Sequence, residues 1–569
     1  MAASQPSSWE VSVDGLMMNQ PLLLSRLLWR TERLFHDKKV ITYLGPGEYH
    51  SYTYADFGKR VRKLASALLE FGVQPGDRVG SIAWNHYRHF EVYYGVPSLG
   101  ATLHTINMRL FPEQQQYLIN HAEDSVLIID EDQIPVVEQL VDLGIPSVRA
   151  FVVMGDGPLP ETKLSPVVRY EDLMESGDEN FELPEFDENT ASAMCYTSAT
   201  TGDPKGVAYS HRGTVLQAMC VALHDKINMC ESQVWLEVAP MFHANGWNIP
   251  HAALLQGATL VFPGVHPVDR DYVQIVQDLK VTGMNAAVTI GTMMRDFIQS
   301  SDQEWDLSSL GILWLGGQAP SRSIMEWFDE KYGTHVVQGY GMTESTSQIC
   351  FSWVKTTLAD QDEDEVYALR QKQGLPLPLM KIKVLGEDGA ELPWDGTSVG
   401  DFWIQSPYTA REYYRDERTK ESMRDGWFRT GDVGCIDPDG FVILKDRSKD
   451  LIKSGGEWIS SIDLENALMA HPKVREATVV SVPHEKWLER PLACVVPADP
   501  SVTEDELREY LIGSFAKWWI PDRFLFVEEV PKTSVGKYNK KAIRARIADG
   551  GIDAVVREYG TDPSPASAG

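Results

Sequence analysis

Short apolar segments that resemble β-strands alternate with segments of helical periodicity along most of the chain. Residues 60–71 carry apolar side chains at helical spacing, and Gly72 is a suitable end for that helix. The strand-like segments include 79–83, 125–129, 234–239, 259–262 and 311–315. This alternation is typical of parallel sheets covered by helices. The sequence therefore predicts an α/β fold.

The length of 569 residues predicts more than one domain, since a domain averages roughly 100–200 residues. A charged segment, DRSKD at 446–450, follows a strand-like segment at 441–444. After it, a helix is predicted at 461–470 and a strand at 478–482. We therefore expect a large N-terminal domain of layered α/β subdomains with parallel sheets. A small, mobile C-terminal α+β domain would follow, with bounds of 1–446 and 447–569.

The charge balance is strongly acidic, with 52 Lys and Arg against 81 Asp and Glu and a formal net charge of −29. Such a surface argues against nucleic acid or an anionic membrane as a general partner. The acidic run at 360–365 is interpreted as a solvated surface loop. The six cysteines form no C-x-x-C pair, so neither a structural zinc site nor a redox pair is expected.

The first ten residues have neither the basic nor the apolar segment of a signal peptide. No apolar run reaches the roughly 18 residues that a membrane span needs. The last residues carry no peroxisomal tripeptide. We therefore expect a cytoplasmic protein without integral membrane association.

The segment YTSATTGDPKG at 196–206 is rich in hydroxyl groups and glycine and contains Lys205. Hydroxyls and backbone N–H groups in such a loop can surround phosphate oxygens, and a lysine adds positive charge. The residue order differs from the GxxxxGK[ST] loop of P-loop NTPases. By composition alone, a phosphate site and an ordinary polar loop remain equally open.

The same segment resembles the signature loop of the adenylate-forming superfamily, S-G-T-T-G-x-P-K-G, with Ala199 in place of the usual glycine. Four further segments resemble motifs of that superfamily and occur in its order: QGYGMTES at 338–345, WFRTGD at 427–432, SGGEWIS at 454–460 and PKTSVGKYNK at 531–540. The superfamily contains acyl-CoA synthetases, peptide-synthetase adenylation domains and beetle luciferases. The resemblance covers about residues 15–550. It is closest to bacterial medium- and long-chain fatty-acyl-CoA synthetases, a group that includes 3-methylthiopropionate-CoA ligases.

The resemblance implies roles for individual residues. Lys537, Glu344 and His243 would be catalytic, and Thr197 and Glu344 would hold Mg²⁺, a hard ion that prefers oxygen ligands. The coenzyme A site would comprise Ser454, Gly455, Gly456 and Glu457. The residues that would bind ATP or AMP are Thr197, Ser198, Thr200, Thr201, Gly202, Lys205, Gly317, Gln318, Ala319, Gln338, Gly339, Tyr340, Gly341, Met342, Thr343, Asp432, Arg447, Lys449, Lys453 and Trp458.

The acyl pocket is expected to involve His243, Trp247 and Gly317. His243 and Trp247 are four residues apart and would share a face of a helix. Asn245, Gly246 and Pro250 make a loop or a short helix as good an interpretation, so these alternatives remain open. Residues 241–250 contain no acidic side chain, which disfavours an amino acid as substrate because its ammonium would be unpaired.

The resemblance therefore implies an ATP-dependent acyl-CoA ligase that works through an acyl-adenylate, with ATP and coenzyme A as co-substrates. Medium- and long-chain fatty acids are the expected substrates, and 3-methylthiopropionate is the alternative. An adenylation module for a carrier protein, a luciferase-like oxygenase and a catalytically silent binding protein are rival hypotheses. By the same resemblance, a homodimer is expected.

Overall fold

The computed structural model describes residues 15–197, 203–447, 450–454, 457–484, 486–533, 537–551 and 555. The helices are α1 Leu24–Leu34, α2 Tyr54–Glu70, α3 Tyr87–Gly95, α4 Pro112–Ala122, α5 Ile134–Leu143, α6 Tyr170–Glu175, α7 His211–Val221, α8 Ile249–Gln256, α9 Asp269–Leu279, α10 Val288–Ser300, α11 Arg322–Tyr332, α12 Glu363–Arg370, α13 Thr419–Ser422, α14 Ser461–Ala470, α15 Glu504–Ile512 and α16 Lys540–Gly550.

The strands before residue 400 are β1 Lys39–Gly45, β2 Glu48–Thr53, β3 Arg78–Ile82, β4 Thr102–Thr105, β5 Asp124–Asp130, β6 Ala150–Met154, β7 Val167–Arg169, β8 Ala191–Tyr196, β9 Gly206–Ser210, β10 Val234–Glu237, β11 Thr259–Phe262, β12 Gly283–Ala287, β13 Ile312–Gly316, β14 His335–Tyr340, β15 Cys350–Phe351, β16 Leu375–Pro376 and β17 Lys381–Leu385. The later strands are β18 Gly400–Gln405, β19 Met423–Arg424, β20 Trp427–Ile436, β21 Val442–Arg447, β22 Ile452–Ser454, β23 Glu457–Ile459, β24 Val474–His484, β25 Leu488–Pro497 and β26 Arg523–Phe526.

Two large sheets with mainly parallel centres form the body of the N-terminal part. The first has the order β16-β15-β14-β13-β12-β10-β11-β1-β2, and the second has the order β7-β6-β5-β3-β4-β8-β9. Strands β12, β13 and β14 are neighbours and run parallel, so their carboxyl ends meet at one edge. Ligands of open α/β sheets bind at such an edge.

Two smaller sheets complete the fold. Strands β17 to β21 form a five-stranded antiparallel sheet. Strands β22 to β26 form a separate sheet near the C-terminus, which packs with α14 and α15 around its own apolar cluster. The predicted fold class, a large α/β part with parallel sheets and a small C-terminal α+β part, is confirmed.

Helix α2 shows how local chemistry sets the bounds of an element. It begins six residues before the predicted segment because Thr53 and Asp56 form a reciprocal capping box. It ends at Glu70, and Gly72 takes a φ of +98°, a conformation that glycine adopts without strain. The apolar face of the helix packs into the main core.

The acidic run at 360–365 is only partly a loop, which corrects the sequence-based interpretation. Helix α12 begins at Glu363, and the Asp362 side chain accepts a hydrogen bond from the Glu365 N–H. Carboxylates in the first turn of a helix are favoured by its dipole, so an acidic run can start a helix as well as a loop. Within the described ranges, no helix has the length and apolar character that a transmembrane segment requires.

Candidate active site

A cavity of about 480 Å³ lies at the carboxyl ends of β12, β13 and β14 and reaches Lys537 near the C-terminus. The predicted site residues that line it are Thr197, Lys205, His243, Trp247, Gly317, Gly339, Gly341, Met342, Thr343, Glu344, Arg447 and Lys537. An adjoining cavity of about 220 Å³ is lined by Gly317, Gln318, Ala319, Gln338, Gly339, Tyr340, Gly341, Asp432, Arg447 and Lys537. Segments more than 300 residues apart in the chain therefore meet at one place.

Some predicted residues cannot be placed in these cavities. Ser198, Thr200, Thr201, Gly202, Lys449, Gly455 and Gly456, together with Ala199, lie outside the described residues. Lys453 is exposed on β22 and lines neither cavity. The Ser454 hydroxyl is buried and accepts a hydrogen bond of 3.1 Å from Arg490. Glu457 and Trp458 lie in β23, which pairs with β22. The nucleotide and coenzyme A assignments of these residues remain predictions.

The two ends of the 197–205 loop are tied together. The Thr197 N–H donates to the Lys205 carbonyl at 3.0 Å, and the Lys205 N–H donates to the Thr197 hydroxyl at 3.2 Å. The Lys205 ammonium lies 4.3 Å from the centre of the Tyr413 ring, within cation–π distance. A lysine and a threonine are thus held at the cavity wall, where a phosphate group can meet them.

Glu344 is a buried carboxyl group with a strong partner. The Tyr413 hydroxyl donates to Glu344 Oε1 at 2.6 Å. Burial raises the pKa of Glu344, while the hydrogen bond from Tyr413 and the charges of Arg447 and Lys205 oppose that rise. An oxygen ligand with nearby cations suits a site for phosphate oxygens and a hard metal ion. Sequence reasoning missed Tyr413, because nothing in the segment around it distinguishes it from Tyr414.

Asp432 and Tyr340 form a second polar pair next to the first. The Tyr340 hydroxyl donates to Asp432 Oδ2 at 2.6 Å. Arg447 Nε lies 3.1 Å from Asp432 Oδ1, but its N–H is not directed as in a hydrogen bond, so Oδ1 keeps an acceptor position open among the described residues. Asp432 is almost fully buried. A carboxylate with an open acceptor can bind a hydroxyl donor such as a ribose 2′- or 3′-OH.

Lys537 reaches the cavity from the small C-terminal part. Its Cε would lie 3.5 Å from a Cβ placed on Gly317, so the lysine side chain runs along this glycine. Burial and the neighbouring Arg447 lower the Lys537 pKa to about 8, against the attraction of Asp432 and Glu344. The cavity therefore contains an ammonium group that a bound anion would stabilise.

His243 lies in a turn and Trp247 in a one-turn 3₁₀ helix, Gly246–Asn248, so the two residues do not share a helix. Ala244, Asn245 and Trp247 take positive φ values of 44°, 52° and 53°, a conformation that is strained for side chains such as tryptophan. The Trp247 indole packs against β13, where a Cβ on Gly316 would come within 2.8 Å of it. Burial and the charge of Lys537 lower the His243 pKa to about 3, so this imidazole is neutral at physiological pH.

Two comparisons place the chain among known proteins. A family model for AMP-binding enzymes matches residues 28–414, and a model for the C-terminal domain of AMP-binding enzymes matches residues 463–537. The chain is 43% identical over 531 residues to a long-chain-fatty-acid–CoA ligase from Thermus thermophilus, which covers 93% of this chain and 96% of the relative. It is 40% identical over 545 residues to a 3-methylmercaptopropionyl-CoA ligase from Ruegeria lacuscaerulensis, over 94% of this chain and 99% of the relative.

A comparison of folds agrees. The crystal structure of an anthranilate CoA ligase in complex with anthranoyl-AMP superposes with a TM-score of 0.81. That match covers 92% of this chain and 97% of the other, at 24% sequence identity, and supports the fold alone. The family match over most of the chain, with the relatives above, shows that this protein belongs to the family of AMP-binding enzymes.

Proposed function

We propose that this protein is an ATP-dependent acyl-CoA ligase. A carboxylic acid would react with ATP to give an acyl-adenylate and diphosphate, and coenzyme A would then convert the adenylate to acyl-CoA and AMP. The observation that carries this proposal is that Lys537 and Arg447 line two adjoining cavities, the first together with Glu344 and the second together with Asp432. The relatives named as CoA ligases over nearly their whole length support it.

In the first half-reaction, the acid carboxylate attacks the α-phosphorus of ATP and diphosphate leaves. Negative charge builds up on the phosphoryl oxygens in the transition state, and fixed cations lower the energy of that state. Lys537 and Arg447 face the cavity where this charge would develop. Lys205 and the ends of its loop would hold the outer phosphates, and Asp432 would accept hydrogen bonds from the ribose.

Mg²⁺ is proposed to accompany ATP, because the donor atoms suit it. Thr197 supplies a hydroxyl and Glu344 a carboxylate, both hard oxygen ligands at the cavity wall. Among the residues that the structure describes, no group of three or more His, Cys, Asp or Glu side chains is able to hold a metal ion. The ion would therefore take further ligands from phosphate oxygens and water, and it would neutralise phosphate charge when bound.

In the second half-reaction, the coenzyme A thiol attacks the carbonyl carbon of the adenylate. The thiol proton goes to solvent, a C–S bond forms and AMP leaves with its phosphate oxygen. We propose that residues 447–569 turn relative to 1–446 about a hinge at 446–450, near Lys449. This turn would withdraw Lys537 and bring the 454–457 segment to the adenylate. No covalent enzyme intermediate is needed.

The relatives leave the acid open, since they include long-chain fatty-acid, medium-chain fatty-acid and 3-methylmercaptopropionyl-CoA ligases. We propose an acid with an apolar chain, medium- or long-chain fatty acids first and a 3-methylthiopropionate-like acid as the alternative. A cytoplasmic location and a homodimer are proposed by analogy with the family.

The test is diphosphate release from purified protein with Mg²⁺–ATP, across acetate, butyrate, 3-methylthiopropionate, octanoate, palmitate and benzoate, with and without coenzyme A. Turnover that depends on coenzyme A supports the ligase. Diphosphate release that free coenzyme A does not accelerate favours an adenylation module for a carrier protein. Oxygen consumption with light emission indicates a luciferase-like oxygenase. No release with any acid contradicts the proposal and favours a binding protein.

A further inference from the structure

A buried series of polar contacts ties α16 to β21, the strand that leads into the proposed hinge. Helix α16 begins at Lys540, three residues after Lys537. The Lys540 ammonium donates to the Ser461 hydroxyl, and this hydroxyl donates to Asp446 Oδ2. The Ser461 N–H donates to the same oxygen at 2.9 Å. The contacts therefore run from the start of α16, through the first residue of α14, to the end of β21.

The second partner of Lys540 is a carboxylate that is itself held in place. Lys540 Nζ lies 2.9 Å from Glu465 Oε1, and that oxygen also accepts from the Thr478 hydroxyl at 3.0 Å and the Val479 N–H at 2.7 Å. Burial lowers the pKa of Lys540, but the charges of Glu465 and Asp446 outweigh burial and raise it above its usual value. The lysine is therefore a buried cation with fixed partners, as a buried charge requires.

A further contact of α16 reaches the other end of the proposed hinge. Arg544 lies four residues after Lys540, so the two side chains share a face of the helix. Arg544 pairs with Asp450. Asp446 and Asp450 are the first and last residues of the proposed hinge at 446–450. One helix thus contacts both ends of the segment about which the small domain is proposed to turn.

The chain between α16 and Lys537 is short and internally bonded. Three residues span at most about 11 Å. The Lys537 N–H donates to the Thr533 hydroxyl at 3.1 Å, and the Thr533 N–H donates to the Lys537 carbonyl at 2.6 Å. The Asn539 side chain caps α16 by accepting from the Ala542 N–H at 3.1 Å. The position of the start of α16 therefore determines where Lys537 can reach.

We propose that Lys540 is a positioning residue for adenylation, which holds Lys537 in the cavity by anchoring the start of α16 to Asp446 through Ser461. This inference rests on the proposed ligase function and assigns a role to a lysine that the proposed chemistry does not use. Because the anchor spans the proposed hinge, it would be present during adenylation and broken when the small domain turns. Lys540 would therefore act on the first half-reaction and not on the second.

The decisive variant is Ser461→Ala, which removes the hydroxyl between Lys540 and Asp446 and leaves the pair of Lys540 with Glu465 in place. Adenylate formation is measured as diphosphate release in a single turnover, with saturating octanoate and Mg²⁺–ATP and without coenzyme A. We expect its rate to fall about 10–100-fold, since a displacement of about 1 Å can cost about 10²-fold. The ATP concentration for half-maximal rate should stay close to that of the parent protein. So should the conversion of added octanoyl-adenylate and coenzyme A to product.

Two substitutions of Lys540 and one control complete the series. Lys540→Met should slow the first half-reaction alone, and Lys540→Arg, which keeps the charge, should retain more of the rate. The control is Lys473→Met, because Lys473 pairs with Glu506 at 2.9 Å in the same small domain and lines neither cavity. It should leave both half-reactions unchanged. If thermal unfolding shows that Lys540→Met does not fold, Ser461→Ala and Lys540→Arg decide.

Three results would contradict the inference and leave the ligase proposal intact. The first is adenylate formation at the parent rate in Ser461→Ala. The second is an equal loss in both half-reactions, which would mean that the contacts only stabilise the fold. The third is a higher ATP requirement in Lys540→Met with Ser461→Ala unchanged, which would make Lys540 a ligand of ATP. If the parent uses octanoate poorly, the acid of the panel that it uses fastest replaces it; no diphosphate release with any acid contradicts both proposals.

Discussion

Replacing Lys537 by methionine tests the proposed chemistry and the electrostatics of the closed site in one variant. Burial and Arg447 lower the Lys537 pKa from 10.5 to about 8. One pKa unit corresponds to about 1.36 kcal/mol, so the charged form costs up to about 3 kcal/mol in the empty cavity. Methionine is one atom shorter than lysine, keeps an unbranched side chain and removes the charge. We therefore expect the variant to be as stable as the parent at pH 7, or more stable by up to that amount.

The dependence of stability on pH shows in which direction the Lys537 charge changes the free energy of unfolding. Because the pKa of this base is lower in the folded than in the unfolded state, the cost is fully present below about pH 8 and disappears as the pH rises to 10.5. The difference in unfolding free energy between Lys537→Met and the parent should therefore shrink over this interval. Denaturant unfolding at pH 7, 8.5 and 10 measures it.

The catalytic effect should be opposite to the effect on stability. Loss of one group that stabilises developing charge lowers a rate by about 10²–10³-fold, so diphosphate release should fall by this factor. Conversion of added acyl-adenylate and coenzyme A to product should stay close to the parent rate. In the parent, kcat/KM should fall as the pH rises through about 8, because Lys537 loses its proton. The matched control is Lys532→Met, since Lys532 pairs with Glu476 at 2.7 Å and lines neither cavity.

Two results would refute this reasoning. One is a Lys537→Met variant that forms the adenylate at the parent rate. The other is a variant less stable than the parent at pH 7 with no change up to pH 10, which would mean that the ammonium is favourably paired and not desolvated.

Three further variants test other contacts. Tyr413→Phe removes the 2.6 Å hydrogen bond to Glu344. Because hydrogen bonds to charged groups contribute about 1.5–3 kcal/mol, KM for Mg²⁺–ATP in steady-state kinetics should rise about tenfold or more. Tyr414→Phe, the control, should leave this KM unchanged. Asp432→Asn should weaken ATP binding by a similar factor in calorimetry, and equal affinity would argue against the ribose assignment. Arg490→Ala leaves the Ile520 carbonyl and the Ser454 hydroxyl without the guanidinium that donates to them. The free energy of unfolding, measured by urea titration, should therefore fall by about 1–3 kcal/mol. An unchanged urea midpoint would show that water replaces the guanidinium.

Two of the strands could be predicted from the sequence because their apolar segments are continuous and are followed by Pro263 and Gly316. Segments 259–262 and 311–315 were placed within one residue of β11 and β13. The order of the strands in the sheet was not predictable. β10 lies between β11 and β12 because of long-range packing, which no local pattern encodes.

The contacts between side chains that complete the site are harder to predict from the sequence than its motifs. The pairing of Tyr413 with Glu344 joins residues 69 positions apart, and a tyrosine in a polar segment carries no signal of it. The left-handed conformation of Trp247 opposes its local preference, and the packing of its indole on Gly316 of β13 is a tertiary contact that the local sequence does not encode.

The acidic composition and the anionic substrates are reconciled by the arrangement of charges in the cavity. Arg447 lies beside Asp432, and burial together with the charge of Arg447 lowers the pKa of Lys537. In the proposed cycle, a bound polyphosphate removes the repulsion between these two cations and so favours the position of Lys537 in the cavity. Departure of diphosphate restores the repulsion. The charge that assists adenylation would then also favour withdrawal of the small domain, the step that we propose admits coenzyme A.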